Sequence, residues 1–203
     1  MSNIQTSISV EQALRRLVDG NERFLRGELR FPGLVQETLK GLTQSQHPYA
    51  TILGCSDSRV PPEIIFDCGP GELFVIRVAG NVFSPEIAGS LQYAGSHLHT
   101  PLFVVMGHEG CGAVQAALLS RDQGDRHRSR IQILVDSILP GLPPFDPKLS
   151  PTERTAQAIE ANVRWTVKQI VETPEARARL AEGKVKIIGA LFELSTGRVK
   201  FLE

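Results

Sequence analysis

Three reactive side chains alternate along the stretch GCSDSRVPPE, residues 54–63. Cys55 offers a thiol, Asp57 a carboxylate and Arg59 a guanidinium. A guanidinium can hold a carboxylate through two parallel hydrogen bonds, so Asp57 and Arg59 are suited to pair with each other. The alternation predicts that the three groups act at one site, together with groups from elsewhere in the chain.

The stretch GHEGCG supplies the matching groups, His108 and Cys111. Two thiolates and one imidazole are ligands that suit zinc in tetrahedral sites. Cys55, His108 and Cys111 are therefore predicted to bind a zinc ion. Three protein ligands leave one position open, which is typical of catalytic rather than structural zinc sites. Asp57 either accepts a hydrogen bond from zinc-bound water or binds the zinc as a fourth ligand, and the sequence leaves both open.

Short apolar runs are predicted to be the strands that position these ligands. YATILGC delivers Cys55, TPLFVVMGH delivers His108, and LFVIRVAG lies between them in the chain. Ligand sites of open α/β sheets lie at the carboxyl ends of strands, where the strand order reverses. If the first and third runs are neighbours, both ligand stretches meet at one edge of the sheet.

Helical patterns alternate with these runs, which indicates an α/β fold with a mainly parallel sheet flanked by helices. Ser9 is predicted to cap the first helix, with Gln12 as its capping-box partner. Ser150 or Thr152 caps a long helix that is expected to end at Pro174. The final segment, GALFELSTGRVKFL, is predicted to be a hairpin at the sheet edge.

Composition excludes several classes of partner. Lys+Arg and Asp+Glu both number 22, so no basic excess favours nucleic acid. No apolar run reaches 18 residues, and no signal peptide is evident, so no membrane contact is expected. The three cysteines are an odd number in a chain too long to need disulfides, which favours reduced thiols and a cytoplasmic protein. Cys68 has no His or Cys neighbour and is predicted to be a free buried thiol.

CSDSRVPPE followed by GHEGCGAV resembles the β-class carbonic anhydrases of the bacterial type. GNERF, GELFVIRVAGN, GSLQYA and GALFELSTGRVKFL follow in the order of that family. The resemblance implies a single domain over residues 1–203, with a helical arm at about 9–45 and a zinc-binding core at about 46–203. It also implies that the N-terminal helix packs on a partner subunit in a homodimer or a multiple such as a tetramer.

The resemblance assigns roles to residues at matching positions. Cys55, His108 and Cys111 are the implied ligands of one Zn²⁺ per subunit, and Asp57 with Arg59 is the implied catalytic dyad. The residues implied to bind substrate are Gln46, Phe74, Ala79, Tyr93 and Gly112, and Val60 is predicted to join them because CO2 is apolar and needs an apolar pocket. Of these, Gln46, Phe74 and Tyr93 are implied to serve the site of the partner subunit, which places the active site at the subunit interface.

The implied reaction is the reversible hydration of CO2 to bicarbonate and a proton, by zinc-bound hydroxide that the Asp–Arg dyad orients. Two alternatives stay open at this point. The same fold can hydrolyse CS2 or COS, because zinc hydroxide attacks those linear molecules in a similar way. A non-catalytic zinc-binding scaffold is the other alternative, although the open fourth position argues against it.

Overall fold

One five-stranded sheet is the centre of the fold. A computed structural model of the chain describes residues 8–30, 36–124, 126 and 128–202. Its strands are Ala50–Gly54 (β1), Leu73–Arg77 (β2), Leu102–His108 (β3), Lys186–Phe192 (β4) and Val199–Leu202 (β5). Their order is β2-β1-β3-β4-β5, with β5 antiparallel to β4 and the other pairs parallel. The predicted mainly parallel sheet with a C-terminal edge hairpin is confirmed.

Helices flank this sheet and connect its strands. They are Val10–Arg26 (α1), Gln36–Gly41 (α2), Pro62–Ile65 (α3), Pro85–Ser96 (α4), Gly112–Gln123 (α5), Ile131–Ile138 (α6), Pro151–Val171 (α7) and Pro174–Ala181 (α8). Two 3₁₀ turns lie at Ala79–Asn81 and Leu139–Gly141. No helix among the described residues is both long and apolar enough to cross a lipid bilayer.

Helix ends follow the sequence signals with one exception. Ser9 and Gln12 form the predicted capping box of α1, and Ser150 caps α7 in the same way. The prediction that Pro174 ends the long helix is wrong: α7 ends at Val171, and Pro174 is the first residue of α8. Proline is favoured at a first helical position, because the amide hydrogen it lacks has no intrahelical acceptor there.

The helix α7 lies unusually close to the sheet. A Cβ atom on Gly107 of β3 would lie 2.6 Å from Val163 Cγ2, and one on Gly189 of β4 would lie 2.7 Å from Val163 Cγ1. Val163 is fully buried between these two strands. Because any larger side chain at either glycine would push the helix away, this contact fixes the position of α7 relative to β3.

The helix α1 packs on the core of its own chain. Ala13 and Leu17 are fully buried. The side chain of Asn21 donates to the carbonyl of Gly197 at 3.0 Å and accepts from the N–H of Val199 at 3.0 Å. The buried face of α1 is therefore satisfied within the chain, and packing on a partner subunit stays a prediction for the rest of its surface.

Asp67 joins α1 and the segment after it to the core. Its side chain is 1% exposed, and Oδ2 accepts hydrogen bonds from Arg23 Nε at 2.6 Å and Arg30 Nε at 3.1 Å. The N–H of Arg30 donates to Oδ1 at 2.8 Å. Burial raises the pKa of Asp67, but these hydrogen bonds together outweigh it and hold the pKa below its ordinary value.

Replacing Asp67 by Asn should make stability less dependent on acid pH. A carboxyl group with a lowered pKa stabilises the fold above its unfolded pKa of about 3.9, and this contribution is lost as pH falls through the folded pKa. Asp67→Asn should therefore lower the free energy of unfolding by about 2 kcal/mol near pH 7, where charged hydrogen bonds are lost. Urea unfolding at several pH values should show the difference shrinking below pH of about 4.

The control is Asp19→Asn, because the ion pair of Asp19 with Arg15 is exposed. Exposed ion pairs contribute little, so this variant should unfold like the parent at each pH. An Asp67→Asn deficit of equal size at pH 7 and at pH 3 would contradict the linkage.

Candidate metal centre

Cys55, His108 and Cys111 lie together at the carboxyl end of the sheet. Their ligand atoms are all within 4.8 Å of one another, and all three residues are buried. Cys55 directly follows β1, and His108 ends the neighbouring strand β3. Because β1 has β2 on one side and β3 on the other, this is the point where the strand order reverses.

The imidazole of His108 is oriented with one nitrogen towards this cluster. Its Nδ1 lies 2.9 Å from the carbonyl oxygen of Glu109, which can only accept, so Nδ1 carries the proton. Nε2 is then unprotonated in the neutral ring, and it is buried without a hydrogen-bond partner among the described residues. A carbonyl that fixes the tautomer in this way is a common partner of metal-binding histidines.

A hydrogen bond links the two thiols. A hydrogen bond from Cys111 is the main cause that lowers the pKa of Cys55, against the opposing effect of burial. Hydrogen bonds from the N–H groups of Gly80 and Asp57 lower it further. The same bond between the thiols, with burial, raises the pKa of Cys111. A divalent cation between them would favour the thiolate form of both.

These donors fit one zinc ion. Bonds of about 2.3 Å to sulfur and 2.0–2.1 Å to nitrogen place tetrahedral ligand atoms roughly 3.5–3.8 Å apart, which a cluster whose ligand atoms lie within 4.8 Å of one another accommodates with small shifts. The unpartnered Nε2 of His108 gives an independent indication, because buried polar atoms normally have a partner. The chemistry of the set, two sulfurs and one imidazole, is that of a zinc site with one position left open.

The carboxylate of Asp57 faces the cluster, and Arg59 holds this carboxylate in place. Arg59 Nε donates to Oδ1 at 2.9 Å and Nη2 donates to Oδ2 at 2.8 Å, and the N–H of Arg59 adds a third bond to Oδ1 at 3.0 Å. Oδ2 lies 3.9 Å from Nε2 of His108. The hydrogen bonds from Arg59 hold the pKa of Asp57 far below its ordinary value, so an ionised carboxylate lies beside the cluster.

Two further residues, which the sequence motifs do not single out, fasten the ligand loops. Arg77 at the end of β2 donates from Nε to the carbonyl of Cys55 at 2.9 Å and from Nη2 to that of Asp57 at 2.5 Å. Glu109 accepts from the N–H of Ser195 at 2.9 Å, which ties the His108 loop to the connection between β4 and β5. Two features of the sequence could have pointed to these residues. Arg77 is a cation at the end of a predicted strand, and Glu109 is a carboxylate between two predicted metal ligands.

Three of the residues expected to bind substrate lie around the cluster. Val60 is buried, and its N–H donates to the carbonyl of Asp57 at 3.2 Å. Ala79 is half-buried and precedes Gly80, whose N–H donates to Cys55 Sγ at 3.3 Å. Gly112 is exposed at the first position of α5, where backbone N–H groups have no intrahelical acceptor.

The structure does not bring Gln46, Phe74 and Tyr93 to the cluster of their own chain. Phe74 pairs with Thr51, four residues before Cys55, which is roughly 13 Å along the strand. Gln46 is exposed and precedes β1, at the opposite end of the strand. Tyr93 is 44% exposed on α4, with its ring 6.1 Å from that of Phe74.

Cys68 lies outside the cluster. It is buried and unpaired, which confirms the prediction of a free buried thiol, and its Sγ is 3.0 Å from the hydroxyl of Tyr49. Burial raises the pKa of Cys68 to about 12, so this thiol is neutral at physiological pH.

The chain is similar to carbonic anhydrases over most of its length. A family model described as carbonic anhydrase matches residues 50–199. A carbonic anhydrase of Mycolicibacterium smegmatis is 38% identical over 189 residues, which cover 93% of this chain and 91% of that protein. Carbonic anhydrase 2 of Mycobacterium tuberculosis is 36% identical, with 92% and 89% covered.

Solved structures show the same fold. A β-carbonic anhydrase of Coccomyxa, in complex with acetazolamide, matches with a TM-score of 0.73 at 28% identity, covering 82% of this chain and 78% of that one. Tetrameric β-carbonic anhydrases of Sordaria macrospora match with a TM-score of 0.73 at 25% identity, covering 93% and 96%. On the family match, the curated relatives and this fold, the chain belongs to the β-class carbonic anhydrase family.

Proposed function

We propose that the chain catalyses the reversible hydration of CO2 to bicarbonate and a proton, with one zinc ion per subunit held by Cys55, His108 and Cys111. The observation that carries this proposal is the buried cluster of two sulfurs and one imidazole nitrogen beside the ionised Asp57. Membership of the carbonic anhydrase family supports the same reaction.

The dyad formed by Asp57 and Arg59 orients the nucleophile. A zinc ion bound at the cluster would supply water of lowered pKa, and hence a nucleophile near neutral pH. Asp57 Oδ2 accepts a hydrogen bond from the attacking oxygen, so that a lone pair of this oxygen points towards CO2. Arg59 keeps both carboxylate oxygens engaged in hydrogen bonds. Without this restraint, Asp57 would be free to become a fourth zinc ligand and close the site.

Substrate lies against apolar and hydrogen-bonding groups from the loops around the cluster. CO2 is apolar, and Val60 and Ala79 provide an apolar wall for it. Bicarbonate gains negative charge on oxygen, and the N–H of Gly112 donates to it from the N-terminus of α5, where the helix dipole also favours an anion.

The active site is completed by a second copy of the chain. Gln46, Phe74 and Tyr93 of each subunit serve the site of the partner in a homodimer or a multiple of dimers. Support comes from their distance from the cluster of their own chain, from the exposed Tyr93 packed on Phe74, and from the tetrameric relatives of Sordaria macrospora. The outer face of α1 would contribute to the same interface.

A cytoplasmic location is part of the proposal. All three cysteines are unpaired and buried, and this state is maintained in reducing compartments.

Zinc content and turnover should depend together on the cluster. The purified chain should contain one zinc per subunit and hydrate CO2 in stopped-flow assays, and a chelator should remove both properties until zinc is restored. Cys111→Ser should weaken zinc binding by more than about 100-fold, because a ligand is lost. Cys68→Ser is the matched control, and it should retain both zinc and turnover because its thiol lies outside the cluster.

Assays of COS and CS2 hydrolysis on the same preparation test whether CO2 is the preferred substrate. Faster COS or CS2 hydrolysis than CO2 hydration would replace the proposed reaction. Zinc without any turnover would instead assign the chain a non-catalytic zinc-binding role.

Arg59→Ala should separate zinc binding from turnover. The released Asp57 can bind zinc in the open position, so zinc content should stay at one per subunit while kcat/KM falls by about 100-fold or more. Arg177→Ala on α8, where the side chain is exposed, serves as the control with unchanged kinetics. Full activity of Arg59→Ala would exclude the dyad.

Mixed subunits should reveal which site Tyr93 serves. Tyr93→Ala should impair the partner's site, and Cys111→Ser should disable its own. Reassociated equimolar subunits of these two variants should regain about a quarter of wild-type activity, because half of the dimers are mixed and each mixed dimer has one intact site. Mixtures no more active than the separate variants would place Tyr93 at the site of its own chain.

A further inference from the structure

Gly80 connects a metal ligand to a helix far away in the sequence. Its N–H donates to Cys55 Sγ at 3.3 Å, and its carbonyl accepts from Asn162 Nδ2 at 2.8 Å. One bond uses the backbone N–H of Gly80 and the other uses its backbone carbonyl. The orientation of this residue therefore decides whether the donor reaches the sulfur.

A glycine is required at this position. Gly80 has φ 75° and ψ 14°, a left-handed conformation that other residues adopt with strain. A Cβ atom there would lie 3.0 Å from Ala113 Cβ and 3.0 Å from Ile138 Cδ1. The peptide group between Gly80 and Asn81 is held at two points: the N–H of Asn81 donates to the carbonyl of Val78 at 3.0 Å, and the carbonyl of Gly80 accepts from Asn162.

Asn162 is the side-chain partner of that carbonyl. It is fully buried in the middle of α7, where asparagine is a weak helix former and an apolar residue would be the ordinary choice. Its Oδ1 has no hydrogen-bond partner among the described residues, so the bond from Nδ2 to Gly80 is the polar contact that accounts for its presence. The neighbouring Val163 lies against Gly107 and Gly189, which fixes the height of Asn162 above the sheet.

We propose that Asn162 is a positioning residue of the metal centre, which holds Gly80 so that its N–H remains on the sulfur of Cys55. This inference rests on the proposed zinc site. A hydrogen bond to a ligating sulfur orients the ligand and adjusts the charge that it donates to the metal. Without Asn162 the two peptide groups that flank Gly80 lose one of their restraints and can rotate, and the donor to Cys55 is weakened although every zinc ligand is still present.

The test compares Asn162→Ala with Thr166→Val. Thr166 is equally buried, lies one turn further along α7, and has no hydrogen-bond partner for Oγ1 among the described residues. Competition with a chromophoric chelator should show zinc binding weakened by about 10- to 100-fold in Asn162→Ala, as for other outer partners of metal ligands. Thr166→Val should bind zinc like the parent.

A spectroscopic measurement separates positioning from a general loss of stability. With Co²⁺ in place of zinc, the sulfur-to-cobalt charge-transfer band of Asn162→Ala should shift in energy, whereas that of Thr166→Val should not. Asn162→Leu, which has the same number and branching of side-chain heavy atoms but no donor, should behave like Asn162→Ala and guards against a cavity effect. Parent-like zinc affinity and cobalt spectra in both Asn162 variants would overturn the proposal.

Two other results have separate meanings. If neither Asn162 variant folds, the residue belongs to the folding of the core and the proposal is overturned. If the parent chain itself binds no zinc, the proposed function fails, which is distinct from a parent that binds zinc and hydrates CO2 while the Asn162 variants match it.

Discussion

Parallel pairing of β1 with β3 is the constraint on which the rest of the site depends. Gly54 pairs with Met106, so the residues that follow β1 meet the end of β3 at one edge of the sheet. Both strands are entirely buried, and a shift of one residue would move every side chain to the opposite face of the sheet and take Gly107 away from its close contact with Val163. The register that buries the strands is thus the same register that brings Cys55 to His108.

Charge is the second constraint at this edge. Two thiols that can ionise and one ionised carboxylate lie close together, and Arg59 and Arg77 are the nearby cations that bond to this loop. Arg59 compensates the carboxylate directly, whereas Arg77 binds the backbone carbonyls of Cys55 and Asp57. The sulfurs therefore depend on backbone donors and on a bound cation to ionise together. Among the described residues, no arginine is paired with these sulfurs, in contrast to the carboxylate of Asp57. Backbone donors such as the N–H of Gly80 are therefore important to the site.

The sequence was sufficient for those parts of the site whose side chains carry the chemistry. Cys55, Asp57, Arg59, His108 and Cys111 are reactive types at short spacings, and apolar runs before them indicated the strands. The contributions of Gly80 and Asn162 were not predictable, because a backbone N–H has no signature and their contact joins residues 82 positions apart. Pro174 was misinterpreted because proline can both end one helix and begin the next. The apolar stripe of α1 indicated a buried face, but a stripe does not reveal which chain covers it.

The hydrogen bond between Glu109 and Ser195 has a consequence for the synthesis of the chain. It joins residues 86 positions apart, and the hairpin that it reaches is held in turn by Asn21 across 178 positions. On the ribosome, every metal ligand has been made well before Ser195 emerges. The ligand loop therefore gains this anchor only after the segment that carries Ser195 has been made, so the final geometry of the metal centre forms later than the ligands themselves.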